Sequence, residues 1–305
     1  MTLFMSVIMS YAYACDVCGC SASGFSAGFM NLNSSHFLGL SYKTKSYEST
    51  HPTLFANQPA LVSSEQFQTL ELNARWMPNK HVQIIANAPF HFFNRTENEV
   101  SETAYGLGDV SAIAQWVITN SSDSADDFLY RFAFGGGVKA PTGKSSFVSD
   151  AYQIIIPNMQ PGSGAWDVLL NANGILKIKN WGLLTELNFS KNGTNKNDYK
   201  FGDRTGAKLS VSRWLSAKEK RIILRPEVGA QIMSSRYDFS SYSEGITNEF
   251  SHGYFVDALI GAQFLYKTWS FSASAQLPIA QNFANGTVES KWGAVLQIHY
   301  LIPKK

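Results

Sequence analysis

The chain has 305 residues, 45% of them hydrophobic, 13% aromatic and 16% charged, with a formal net charge of +2. Charge is scarce against the roughly 25% of ordinary globular chains, and the near-neutral balance gives no electrostatic footprint for nucleic acid. No window holds the ~18 unbroken apolar residues of a transmembrane helix, which leaves a large soluble β protein or a membrane β-barrel.

The chain begins with a short apolar run, LFMSVIMSYAY over residues 3–13, closed by Ala12-Tyr13-Ala14 before Cys15. A small-x-small site after such a run predicts a secretory signal peptide over 1–14, here without the usual Lys or Arg ahead of it. Acylation of Cys15 is the alternative. All three cysteines follow at once, Cys15, Cys18 and Cys20, in CDVCGC. They fall in a segment, 15–35, expected on the periplasmic side. Thiolates at this spacing, with Asp16 and His36, suit a soft metal ion such as copper(I) or zinc. A disulfide with one thiol left over suits an oxidising compartment equally well. Metal, disulfide and lipid linkage all stay open.

From residue 36 to 301 the chain alternates between apolar and polar residues. In KWGAVLQIHYL, Trp292, Ala294, Leu296, Ile298 and Tyr300 alternate with Lys291, Gly293, Val295, Gln297 and His299. A period of two is a strand with two unlike faces. Twelve such segments are predicted: 36–45, 66–77, 81–93, 108–119, 128–140, 164–178, 181–190, 200–215, 221–237, 252–266, 269–281 and 288–301. Most reach the roughly 9–11 residues that a tilted strand needs to cross a bilayer, about twice the mean globular strand. Short connections, such as Pro78-Asn79-Lys80, Lys179-Asn180 and Lys267-Thr268, alternate with mostly longer polar ones at 46–65, 94–107, 141–163, 191–199, 238–251 and 282–287. That layout matches short periplasmic turns and longer external loops. Trp76, Trp116, Trp181, Trp214 and Trp269 sit beside the short turns, Trp166 and Trp292 beside the long loops, as two interfacial girdles require. The fold expected is therefore an all-β, antiparallel up-and-down transmembrane barrel of about twelve strands in the outer membrane of a Gram-negative bacterium.

If the apolar face meets lipid, the polar face lines a lumen. Strand parity turns Glu71, Asp109, Asp167, Glu186, Glu227, Asp257 and Glu289 inward, with Arg75, Arg131, Lys139, Lys177, Arg204, Lys208, Arg225 and Lys291. Acids and bases in near-equal number predict mutual pairing and a narrow, partly obstructed lumen. His91 and His299 are expected to hydrogen-bond there.

Two motifs go beyond pattern. Gly106-Leu107-Gly108-Asp109 is expected to open the fourth strand, and Gly135-Gly-Gly-Val-Lys-Ala-Pro-Thr-Gly143 to close the fifth. Locally, Gly106 and Gly108 suit backbone angles closed to other residues. Gly135-Gly136-Gly137 leaves room for a bulky neighbour or a bend, and Pro141 ends pairing. No helix follows Gly108-Asp109, so it is not a phosphate loop. Together with Ala88-Pro89-Phe90 and Leu277-Pro278-Ile279, these motifs resemble the outer-membrane family named for the MetA pathway of phenol degradation. Gly106, Gly108, Asp109, Pro141, Thr142 and Gly143 carry the likeness. The resemblance implies a barrel and uptake of small, often hydrophobic or aromatic compounds.

Other functions compete. A lipolytic rim site would need Ser251, His252 and Asn248 to converge, but Ser251 and His252 are adjacent and point to opposite faces of a strand. A scaffold or adhesin would use the loops 46–65, 141–163 and 238–251. The expectation is passage of a small solute through a lipid-embedded barrel without covalent chemistry; the oligomeric state is not fixed by sequence.

Overall fold

A computed structural model describes residues 36–51, 60–97, 99–119, 128–150, 153, 155–217, 222–240, 246–248 and 250–302. The signal peptide and the Cys15, Cys18 and Cys20 segment lie outside these residues. The strands are β1 (His36–His51), β2 (Leu61–Asn79), β3 (Val82–Glu97), β4 (Val100–Leu107), β5 (Ser111–Thr119), β6 (Phe128–Lys139), β7 (Asp167–Ile178), β8 (Trp181–Lys191), β9 (Tyr199–Lys200), β10 (Arg204–Arg213), β11 (Leu215–Ala217), β12 (Ile222–Ser235), β13 (Asp238–Ser240), β14 (Ile246–Asn248), β15 (Gly253–Tyr266), β16 (Trp269–Phe283) and β17 (Val288–Ile302).

Antiparallel pairing runs from β1 through β2, β3, β5, β6, β7 and β8 to β10, and from β1 the other way through β17, β16 and β15 to β12. The β10–β12 pair closes the ring. β4 prolongs the β5 position and β11 the β10 position, so the described residues form a closed barrel of twelve strand positions. Closure leaves no unpaired edge, the condition for a sheet to cross hydrocarbon. The periplasmic turns are tight: Lys179 and Lys267, each at φ 53, reverse the chain in two residues. A small three-stranded sheet, β14–β13–β9, stands on the external side.

Exposure decides between barrel and sandwich. Along β2, Leu70, Leu72 and Trp76 are exposed, at 40–58%, while the intervening Glu71, Asn73 and Arg75 are buried at 7% or less. A water-soluble sandwich would show the reverse. Trp76, Trp116, Trp181 and Trp269 mark the short-turn end of the outer face, and Trp166 and Trp292 the long-loop end. Trp214 departs from that girdle. It follows β10 at a break in the strand and packs inward on Leu129, Ile175 and Leu184, with the Arg225 guanidinium 5.2 Å from its ring.

The strands run longer than expected at the external end. Within 94–107, expected as loop, residues 94–97 form the outer end of β3 and 100–107 the whole of β4, paired from Glu97–Val100 to Phe90–Leu107. The hairpin's exposed side is polar there, with Thr96 bonded to Ser101 and Thr103 to Asn94. Without an apolar outer face, the alternation that reveals the other strands fades. Gly108-Asp109 consequently breaks one strand position in two instead of opening a strand.

Candidate functional site: a lumen closed by a latched loop

The lumen is layered. At the external rim Arg95 meets Glu97 at 2.9 Å and Glu65 at 3.7 Å; just below, Tyr47, Phe67, Phe93, Phe255 and Phe283 face inward from β1, β2, β3, β15 and β16. Their rings pack at 4.9–5.7 Å. Ile156 and Met159, carried by the loop between β6 and β7, sit in the same cluster, Met159 wholly buried. A short 3-10 turn, Pro157–Met159, presents them. The Gln160 amide braces it: its oxygen accepts from the Phe147 N–H at 2.8 Å, and its nitrogen donates to the carbonyls of Phe147 and Ile156 at 2.7 and 3.0 Å. The loop is an apolar plug seated in an aromatic ring. Burial of the Ile156 and Met159 side chains favours closure in water.

Asp109 latches that loop. Its Oδ1 accepts from the Gly143 N–H at 3.0 Å, and its Oδ2 from the Ser163 N–H and hydroxyl at 2.8 and 2.7 Å. Both ends of the plug loop are thus held by one carboxylate. The Thr142 hydroxyl accepts from the Val110 N–H at 2.9 Å, and Pro141 precedes it just past the end of β6. Gly106 takes φ +158, as expected of it. Gly108 has a different reason: a Cβ there would lie 2.4 Å from His91 Nε2. The two motifs singled out in the sequence are one device, a strand break and a loop base joined by Asp109.

Below the plug is a cavity of about 280 Å³, bordered by Lys43, Glu71, Asp109, Lys139, Glu186, Arg204, Lys208 and Glu227. Its charges pair. Lys43 meets Glu71 at 2.9 Å, Lys139 meets Asp167 at 2.6 Å and Asp109 at 3.7 Å, and Lys208 meets Glu227 at 2.8 Å with Arg225 at 3.7 Å. Lys45 reaches from β1 past β17 and β16 to Asp257 on β15, 2.6 Å away, where Gln231 also donates at 2.9 Å. That bond bars the lumen directly under the aromatic ring, with Lys45 5.6–5.8 Å from the Tyr47 and Phe255 centroids.

Beside the cavity runs a belt of amides. Ser41 donates to Asn73, and Asn73 to Asn87. Gln83 donates to Gln115, Gln115 to Asn171, Asn171 to Asn188, and Asn188 to Glu186. Gln115 and Asn171 stand on β5 and β7 and meet across β6, where the residue paired with both is Gly135. A side chain there would cut the belt.

Toward the periplasm the lumen narrows again. Phe37 packs with Leu301, the Arg75 guanidinium lies 4.8 Å from the Phe37 ring, and His299 sits edge-on to it at 4.8 Å. Arg131 donates to Gln83 at 2.6 Å. Lys177, opposite Leu129 and Gly182, faces the same mouth. His36 accepts from the Met77 N–H at 3.0 Å. His91 bonds Thr69 at 2.8 Å, a lumen hydrogen-bonder as expected.

Glu289 and Lys291 are corrections. A bulge opposite Ser46 and Tyr47 inserts Lys291 into β17 and reverses parity beyond it. Val288 and Ser290 turn inward, and Lys291 binds Glu289 and Glu48 at 2.7 and 3.4 Å on the exposed face. Sequence parity also passed over Lys43, Lys45 and the aromatic ring. The ring was traceable: Tyr47, Phe67, Phe93 and Phe255 share the parity of Lys45, Thr69, His91 and Asp257. At the rim, the Ser251 hydroxyl donates to the Asn248 carbonyl at 2.7 Å and accepts from the Asp238 N–H at 2.7 Å. Its hydrogen is committed to the backbone.

On the external sheet, Asp238 accepts from the Tyr199 hydroxyl and the Gly202 N–H, each at 2.6 Å. Burial pushes its carboxyl up to about 6. An acid raised above its ordinary value, about 3.9, binds its proton more tightly when folded. Its contribution to closing this sheet is full below about pH 4 and is lost as pH rises through about 6. Hydrogen exchange at the Gly202 amide, corrected for intrinsic rate, should slow from pH 7 to pH 5, and Asp238→Asn should abolish that dependence.

A closed antiparallel barrel with a buried polar lumen, an exposed apolar belt and two tryptophan girdles is an outer-membrane barrel. Among solved structures, an outer membrane channel from Pseudomonas putida F1 is similar at a TM-score of 0.62 and 10% identity, over 91% of this chain and 99% of that one. The β domain of the Bordetella autotransporter BrkA (0.47, 11%, 88% and 100%) and LpxR from Salmonella typhimurium (0.43, 12%, 87% and 100%) are more distant. No protein-family profile and no curated sequence matches the chain.

Proposed function

We propose that the chain is a gated channel for a small solute, in keeping with the family named for the MetA pathway that its motifs resemble. The observation that carries this reading is the charge-bordered cavity capped by a loop held through a single carboxylate. A barrel serving only as scaffold needs neither a latch nor a lumen kept open beneath it. The solute is small, since the bar at Lys45–Asp257 and the aromatic ring both constrict the path. A hydrophobic or aromatic body suits the ring, and polar substituents suit the cavity below. The likeness to the Pseudomonas putida channel supports a barrel able to conduct, and no covalent chemistry is assigned.

Planar-bilayer conductance and liposome swelling with graded solutes test this. Lys45→Ala should raise conductance severalfold and shift the reversal potential toward cations, because it removes the bar and the positive charge beneath the aromatic ring. A barrel silent in every condition, with Lys45→Ala equally silent, would leave the scaffold reading in its place.

A further inference from the structure

A second cavity, of about 380 Å³, lies on the external side between the plug loop and the outer sheet. Its apolar walls are Ile155, Pro157, Tyr199 and Phe201, and its polar groups are the amides and hydroxyls of Asn195 and Ser240 among others. No Lys, Arg, Asp or Glu borders it among the described residues. The charged lumen cavity contrasts sharply with it.

The walls are built. Asn195 Oδ1 accepts from the N–H groups of Asn197 and Tyr199 at 2.9 and 3.1 Å, and its Nδ2 donates to the Ser163 carbonyl at 3.2 Å, tying the two loops together. The Tyr199 hydroxyl is fixed on Asp238, and its ring packs on Phe201 at 5.0 Å. Ile155 is 49% exposed and bridges to Val148 at 45%, although this loop does not face lipid. Large apolar side chains left in water beside a formed cavity mark a binding surface. The cavity also shares a wall with the gate: Gln160 braces the plug and Ser163 holds the latch, and both border the cavity.

We propose that this cavity is an external capture site for an uncharged, ring-sized solute bearing one or two hydrogen-bonding groups, bound ahead of passage. Its purpose, though not its existence, rests on the channel reading. An ion entering it would surrender hydration and meet no opposite charge. A polyhydroxylated solute would leave the four apolar walls uncovered. The amides and hydroxyls match single polar substituents on a planar body.

Three probes of one shape and different charge test it: benzyl alcohol, benzoate and benzylammonium. Saturation-transfer NMR would be run on the full barrel in lipid nanodiscs, with empty nanodiscs subtracted. Benzyl alcohol should give a barrel-dependent signal and the two ions none. Ser240→Trp, which fills the cavity, and Ile155→Asp, which places a charge on its rim, should each weaken the alcohol signal roughly tenfold. Ser240 lies on the outer sheet and off the plug loop, so ion conductance of Ser240→Trp should match the parent barrel. Equal signals from all three probes, or an alcohol signal unchanged in both variants, would overturn the site. Alcohol binding by a barrel that never conducts would instead overturn the channel reading and leave the site standing.

Discussion

Asp109→Ala is expected to leave the barrel folded and open it. The substitution removes the acceptor of three hydrogen bonds that fasten both ends of the plug loop. Bonds to an ionised acceptor are the stronger kind, and a net loss of about 2 kcal/mol on the closed state shifts the open population roughly thirtyfold. Single-channel recording should show longer or more frequent open intervals, and liposome flux should rise in step. The effect should be graded. Asp109→Asn keeps one acceptor oxygen and should fall between, and Ser163→Ala, which removes only a hydroxyl, should change least. Heat-modifiable gel mobility verifies that each variant is folded. Folded barrels of all three that conduct like the parent would eliminate the latch.

Gly135→Ala should be among the most damaging single methyl additions in the chain. Its Cβ would lie 2.0 Å from the Ala114 carbonyl oxygen and 2.6 Å from the Gln115 Cα. Both are backbone atoms of β5, so relief requires the two strands to separate. Separation also breaks the Gln115–Asn171 bond that crosses β6 at this position. Overpacking of this kind costs about 1–3 kcal/mol, and losing a buried amide pairing adds about 1–3 kcal/mol more. The adjoining Gly136→Ala is the control. It faces outward with its nearest neighbours at 3.2 Å, which need yield only a few tenths of an ångström, and its urea midpoint should fall far less than that of Gly135→Ala. A Gly135→Ala midpoint indistinguishable from Gly136→Ala would refute the close-approach argument.

The latch shows how far local reading reaches. The glycine-rich motifs were visible at 106–109 and 135–143, and so was Asp109's inward parity. That the two motifs meet was not, because 34 residues of chain separate Asp109 from Gly143 and no periodicity links them. The bulge at Lys291 was hidden for another reason. One inserted residue leaves no compositional mark, yet it reverses the parity of Glu289. Trp214 misled because an aromatic residue at a strand end suits an interface and a plugged mouth alike.

The sequence by itself determined the strand count, the antiparallel order, the lipid-facing belt and the pairing of lumen charges. Each of these follows from a period of two and from the cost of bare charge in hydrocarbon, which act residue by residue along the chain. Only the tertiary structure decided that the lumen is closed, and by what: a loop whose Ile156 and Met159 bury themselves in a ring of aromatics drawn from five strands. Closure depends on which residues face each other across the barrel, a distance set by strand tilt and loop path and written in no local stretch of sequence.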